Sequence, residues 1–211
     1  MHKKKKIPDP TIERLPVYFR CLKEIRNSGT SIVSSDEIAS RSGVKASQFR
    51  KDMSFFGEFG IQGLGYPVDQ LLERLGSLML LEQEHDVAII GAGNLGTAFA
   101  KFGGFERWGF RIKHIFDNDP EKIGKEVGGV IVEDVEKIPP RLDVSIGLLT
   151  VPASQAQYGA SCFCRAGVRA ILNFTGIKLD IPRGIVIRNV DVTHELAILN
   201  YYLAAGEQQD S

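Results

Sequence analysis

Asp86-Val87-Ala88-Ile89-Ile90-Gly91-Ala92-Gly93-Asn94-Leu95-Gly96-Thr97-Ala98 is the stretch whose reading decides the fold. An apolar, partly β-branched run ends in Gly-x-Gly-x-x-Gly and passes into the helix-favouring Thr97-Ala98-Phe99-Ala100-Lys101, which is the order strand, tight turn, helix. Gly91 permits the turn, Gly93 lets the backbone approach a pyrophosphate, and Gly96 lets the helix pack close to the strand. The turn as a whole, with Ala92, Asn94 and Leu95, offers unpaired N–H groups to phosphates at a helix start. A glycine turn in an α/β domain that binds nothing is the plainer alternative.

Downstream the pattern continues. Arg111-Ile112-Lys113-His114-Ile115-Phe116-Asp117 predicts a second strand ending in an acid about 20 residues past the last glycine, where a ribose diol is usually held. Asp117 is followed by Asn118-Asp119 with no arginine beside it, which favours NAD over NADP, because a 2′-phosphate would meet negative charge. Val130-Ile131-Val132, the run 144–149, the run 170–174 and Ile185-Val186-Ile187 predict further strands, several apolar throughout as a parallel sheet covered on both faces requires. Ligands of such sheets lie beyond the carboxyl ends of the strands, so Thr150, Val151, Pro152, Asn173 and Phe174 are candidate nicotinamide-side contacts. Ordinary strand-to-helix turn chemistry accounts for them equally well. The last pattern, residues 192–205, is a helix with Leu196, Leu199 and Leu203 on one stripe, able to close its own sheet or to cross to a second subunit.

Upstream, Leu15, Phe19, Leu22 and Ile25 recur at helical spacing over residues 11–28, and Pro16 predicts a helix start or a kink there. Ser34 stands three residues before Glu37, a capping pattern that opens a short helix closed by Gly43. A second helix follows at once, so that the region from about 17 to 56 has the helix-turn-helix plan. On that second helix Phe49, Met53 and Phe56 share the packing face, and Ser47, Lys51 and Ser54 point the other way, flanked by Gln48 and Arg50. Those side chains suit a major groove: Gln pairs with adenine, Arg with guanine, and Lys and Ser hold base edges or phosphates. A solvated face on a small helical bundle is the bland alternative. Phe55 to Tyr66, punctuated by glycines, predicts a β-hairpin wing carrying Gln62. After a further helix from Pro67, the acidic linker Glu82-Gln83-Glu84-His85 places the domain boundary, giving a winged helix-turn-helix domain over 1–82 and a Rossmann-type domain over 83–211.

Composition agrees with two jobs. Residues 1–80 carry 13 Lys and Arg against 9 Asp and Glu, while the remainder, 13 against 17, is acidic, although the whole chain is neutral. The run Lys3-Lys4-Lys5-Lys6 could reach DNA phosphates or simply be solvated. No run approaches the ~20 apolar residues of a membrane span and no apolar core follows the first lysines, so a cytoplasmic protein is expected. Cys21, Cys162 and Cys164 have neither disulfide nor metal spacing, and no metal is expected. Buried reduced thiols are the expected state, with a thiol-redox input as the lesser alternative.

The run from Lys45 to Gly57 (KASQFRKDMSFFG) with its glycine wing, then Gly-Ala-Gly-Asn-Leu-Gly, resembles the Rex family of redox-sensing transcriptional repressors. The resemblance extends through Phe116 to Gly124, Leu149 to Ala153, Ile171 to Phe174 and Asn189-Val190-Asp191. It implies a homodimer that exchanges its C-terminal helices, binds a palindromic operator and is released when NADH replaces NAD⁺. It also implies an ionic switch between Arg20 and Asp191, with a surface arginine and a helix-capping aspartate as the alternative. Three positions depart from the family pattern: Phe102 where a tyrosine is common, Ile61-Gln62 where the wing commonly carries basic residues, and Thr175-Gly176 after Phe174 in place of Ala-Pro. They leave the direction and strength of an NADH response open. Two other classes compete. An NAD-dependent oxidoreductase needs a proton-relaying group beside the nicotinamide, and neither His114 nor His194 has a sequence neighbour suggesting one. A CoA-binding Rossmann module shares the glycine turn, and Asp117 argues mildly against it.

Overall fold

The structure, a computed structural model, describes residues 7–57 and 59–207. The lysine run therefore lies outside the described residues. Two compact units make up the chain, Met1–Gln83 and Glu84–Ser211.

The first unit is helical with a two-strand fragment. Helix α1 (Asp9–Asn27) starts well before Pro16 and runs through it, with Pro8 at the N-cap, so the start expected near Pro16 lies two turns earlier. Pro16 is exposed there. Strand β1 (Ile32–Val33) leads to α2 (Ser35–Ser42), whose Ser34 cap accepts from the Glu37 N–H at 3.1 Å and whose Gly43 takes the left-handed conformation at φ 71°. Helix α3 (Ala46–Met53) follows, buries Phe49 and Met53, and stops before Phe56, which is half-buried in the turn beyond. The wing differs from expectation. Its only pairing among the described residues of the loop is a single bridge, Ile61 with Gly65, and strand β2 (Tyr66–Pro67) pairs instead with β1. Glycines cause this: Gly57, Gly63 and Gly65 adopt φ of 136°, 78° and 119°, conformations that interrupt a ladder. Helix α4 (Val68–Leu78) buries Leu71, Leu72 and Leu75 and completes the core with Leu15, Tyr18, Leu22 and Ile38.

The second unit is a parallel sheet with helices. Its elements are β3 (His85–Ile90), α5 (Asn94–Ala100), β4 (Phe110–Asp117), β5 (Glu126–Val127), β6 (Val130–Asp134), β7 (Ile146–Leu149), α6 (Ala153–Arg165), β8 (Ala170–Asn173), β9 (Val186–Asn189) and α7 (Val192–Glu207). The sheet order is β5-β6-β4-β3-β7-β8-β9, with every pair parallel except β5 with β6. Without the β5 edge this is the doubly wound order 3-2-1-4-5-6, whose direction of winding reverses between β3 and β7. Both faces are covered, one by a cluster around Phe163 and Leu149 and the other by one around Ile89 and Ile115. Helix α7 closes nothing in its own unit: every residue from Val192 to Ala204 is exposed. Among the described residues, no helix is long and apolar enough to cross a membrane and no group of three metal-ligating side chains gathers.

Candidate nucleotide cleft and helix-turn-helix face

A cavity of about 540 Å³ opens beyond the carboxyl ends of β3, β4 and β7, where the winding reverses. Gly91, Gly93, Asp117, Thr150, Val151 and Pro152 line it. Gly91 has φ 107°, and a Cβ there would lie 2.7 Å from the Thr150 carbonyl oxygen, so β7 passes too close for any side chain. A Cβ at Gly96 would collide with the Gly91 carbonyl oxygen, which fixes the contact between turn and helix. A Cβ at Gly93 would meet no atom within 4 Å: it would project into open space at the cavity, the room a phosphate needs. These features fit a dinucleotide.

Asp117 is buried at the end of β4. Its Oδ2 accepts from the Ala92 N–H at 2.7 Å and from Lys122 Nζ at 3.2 Å, and its Oδ1 accepts from the Asp119 N–H at 2.9 Å. The carboxylate thus ties the glycine turn to the second strand while facing the cavity. Lys122 is a cation the sequence reading missed. It lies five residues past the acid and returns only because residues 119–123 turn back on themselves. Thr150 Oγ1 donates to the Gly91 carbonyl oxygen at 2.8 Å and staples β7 to the same turn. Asn118 and Asp119, which follow the acid, line the cavity as well, and so do Val135 and Tyr158, which sequence reasoning misses because they belong to segments whose approach only the tertiary fold decides. Asn94 and Leu95 open α5 and are exposed, while Ala92 is buried.

Asn173 and Phe174 are not in the cavity lining. Asn173 is buried and organises a loop, donating to the Ile177 carbonyl and Asn189 Oδ1 and accepting from Thr175, while the Phe174 ring centroid lies 4.8 Å from that of Phe99. Phe102 is exposed beyond α5, its ring edge-on to Phe105. Asp191 caps α7, its Oδ1 accepting from Thr193 and the His194 N–H, and these bonds hold its carboxyl below the usual range. Arg20 is exposed on α1. His114 has carboxylate partners after all, Glu133 and Asp143 at 3.1 Å each, but it does not line the cavity. The three cysteines are free thiols, and burial pushes Cys21 and Cys164 up.

Of the candidates at α3, Ser47, Arg50, Lys51 and Ser54 are exposed and Gln48 is half-buried. Three of them also make hydrogen bonds: Gln48 donates to Asp52 at 2.8 Å, Arg50 to Ser35 Oγ at 2.6 Å, and Ser54 Oγ to the Lys51 carbonyl at 2.7 Å. Gln62 is exposed at the tip of the wing turn between Ile61 and Gly65. Asp52 is fully buried. Burial pushes its carboxyl up, but hydrogen bonds led by Arg14 and Tyr18 outweigh this and hold it at about 2.

Residues 82–177 match the family model described as "CoA binding domain", and residues 6–54 the one described as "Putative DNA-binding protein N-terminus". A redox-sensing transcriptional repressor Rex of Syntrophomonas wolfei is 43% identical over 206 residues, covering 96% of this chain and 98% of that protein. Among solved structures, RSP in complex with β-NAD⁺ and operator DNA has a TM-score of 0.91 at 38% identity, covering 98% of this chain and 96% of that one. RSP in complex with β-NADH gives 0.86 at 37% identity, over 98% of each chain. A helix-turn-helix unit followed by a dinucleotide-type Rossmann unit defines a class, the transcriptional regulators that carry a nucleotide fold as their effector unit. Within that class the chain belongs to the Rex family of redox-sensing transcriptional repressors, whose members are named as repressors and not as enzymes.

Proposed function

We propose that the chain acts in the cytoplasm as a homodimeric repressor. It binds an inverted-repeat operator through α3 and the wing, is retained there with NAD⁺ and is released by NADH. The carrying observation is that one chain, matched along nearly its whole length by Rex proteins, holds both a helix-turn-helix unit and a glycine-turn cleft with a buried acid on its second strand. The adenosine ribose lies against Asp117, the pyrophosphate against the turn from Gly91 to Gly96, and the nicotinamide toward Thr150, Val151 and Pro152. Asn173 and Phe174 support that end from behind. Ser47, Lys51, Arg50 and Ser54 face the DNA, and Gln62 reaches it from the wing. Arg20 and Asp191 form the ionic switch, with Phe102 as its hydroxyl-free neighbour. Selection from random duplex DNA by gel shift, repeated with each nucleotide, tests this: an inverted repeat enriched with NAD⁺ and released by NADH is the expected result. Failure to enrich any repeat, or identical binding with both nucleotides, would refute it.

The match of residues 82–177 to a CoA-binding model favours one second reading, a CoA effector in the same cleft. Asp117 opposes it, since a diol-binding carboxylate repels a phosphorylated ribose. Calorimetry of NADH against CoA separates the two.

A further inference from the structure

Gln48 flanks the outward face of α3, one turn before the buried Asp52, and its amide faces inward. Its Nε2 donates to Asp52 Oδ1 at 2.8 Å, one turn further along. The remaining donors to this buried carboxylate come from α1: Thr11 Oγ1 at 2.9 Å, Arg14 Nη2 at 2.8 Å and Nε at 2.6 Å, and Tyr18 OH at 2.7 Å. Asp52 therefore holds five hydrogen bonds from four side chains. The carboxylate also dictates the amide's orientation, because a flipped amide would set oxygen against oxygen. A glutamine that pairs with adenine must present one N–H and its C=O together to the base edge. Gln48 is half-buried beside Asp52, and swinging its amide out to a base would strip a donor from a charge out of reach of water, where each bond to an ion is worth the most.

We propose that Gln48 is a positioning residue of the DNA-binding unit and not a base reader: with Thr11, Arg14 and Tyr18 it closes a cage around Asp52 that fixes the recognition helix to α1. The inference rests on the repressor reading, which puts α3 in the major groove. The two helices also touch through Tyr18 and Phe49, rings edge-on at 5.0 Å. Apolar contact of that kind tolerates rotation, whereas five directed bonds do not. Base reading then falls to the exposed Ser47, Arg50, Lys51 and Ser54.

The test compares full-length wild type with Gln48→Ala by fluorescence anisotropy at fixed salt. The probes are the selected operator, its single-base-pair variants and a random-sequence duplex. The expected result is a loss of about threefold to tenfold, common to the operator and its variants, with the order of base preference kept and affinity for random DNA unchanged. Tyr18→Phe, which removes a donor from the α1 side, should give the same signature. Gln48→Met repeats the measurement should the alanine variant fail to fold. A relaxed preference of about tenfold or more at one base pair alone, an equal loss on random DNA, or no change in either variant overturns the inference. If wild type itself prefers no sequence, the repressor reading fails and this inference falls with it.

Discussion

Asp52 is the single side chain on which the first unit most depends. Its charge is tolerated in the core because four side chains surround it, and removing a partner from a buried pair costs far more than the pair contributes. Asp52→Ala should destabilise the unit by about 3 kcal/mol, seen as faster amide exchange in α3. The pH dependence has a definite sign. The folded carboxyl titrates at about 2, below an unfolded value near ~3.9, so its contribution is complete above about pH 4 and is lost as pH falls through about 2. The gap between wild type and Asp52→Ala should therefore close over that window; a gap that persists to pH 2 would refute the assignment. Gly96 is the corresponding position in the cleft. Gly96→Ala forces Cβ into the Gly91 carbonyl and to 2.9 Å from Thr150 Oγ1, so the turn must open. NADH affinity should fall by at least about tenfold, with a loss of about 1–3 kcal/mol in the stability of the Rossmann unit; unchanged calorimetric binding would count against the phosphate role of that turn.

Helix α7 is the element whose surface least suits a monomer. Leu196, Leu199, Tyr201, Tyr202 and Leu203 are each more than half exposed, and burying each such side chain gives about 1.5–3 kcal/mol, which an isolated subunit forgoes. A second subunit that receives this helix recovers it. Leu199→Glu should therefore shift the protein to monomer in sedimentation and weaken operator binding by about a hundredfold, because two linked half-site contacts become one; a dimer of undiminished stability would rule out α7 as the interface. The legibility of each element in the sequence follows its physics. Strands β3, β7 and β8 are readable because a sheet covered on both faces demands apolar runs, β4 because its acid ends it at the spacing a ribose requires, and α2 because a cap and a left-handed glycine mark its ends. The wing was misread as a hairpin, since spacing reveals glycines but not the φ values that prevent a ladder. Gln48 and Lys122 escaped for a related reason. A helical wheel gives the direction of Cβ, not the pull of a buried carboxylate one turn away, and an acid at a strand end does not announce the cation folded back onto it.

At the scale of the whole molecule, if NADH releases the operator as proposed, the two ligands must oppose each other through the protein, since their proposed sites lie in different units. Coupling of that kind is a free energy shared by both ligands, so operator DNA must weaken NADH by the same factor by which NADH weakens operator. Complete reversal between bound and released populations needs about 10⁴-fold preference of NADH for the released arrangement. If Phe102 stands beside the proposed switch, it supplies no hydroxyl there, so a smaller factor is expected and Phe102→Tyr should raise it. Asp191 offers the sharper test because, among the described residues, its side-chain bonds are those of the α7 cap, to Thr193 and the His194 N–H. If it were a cap and nothing more, Asp191→Asn, which keeps the cap's accepting oxygen, would leave the coupling factor intact. If its charge answers Arg20 when NADH is bound, the same substitution should bring both reciprocal factors toward unity while NADH affinity without DNA changes less than about threefold. Titrating NADH with and without operator, and operator with and without NADH, gives the two factors independently, and any disagreement between them would show that the ligands are not linked through one equilibrium.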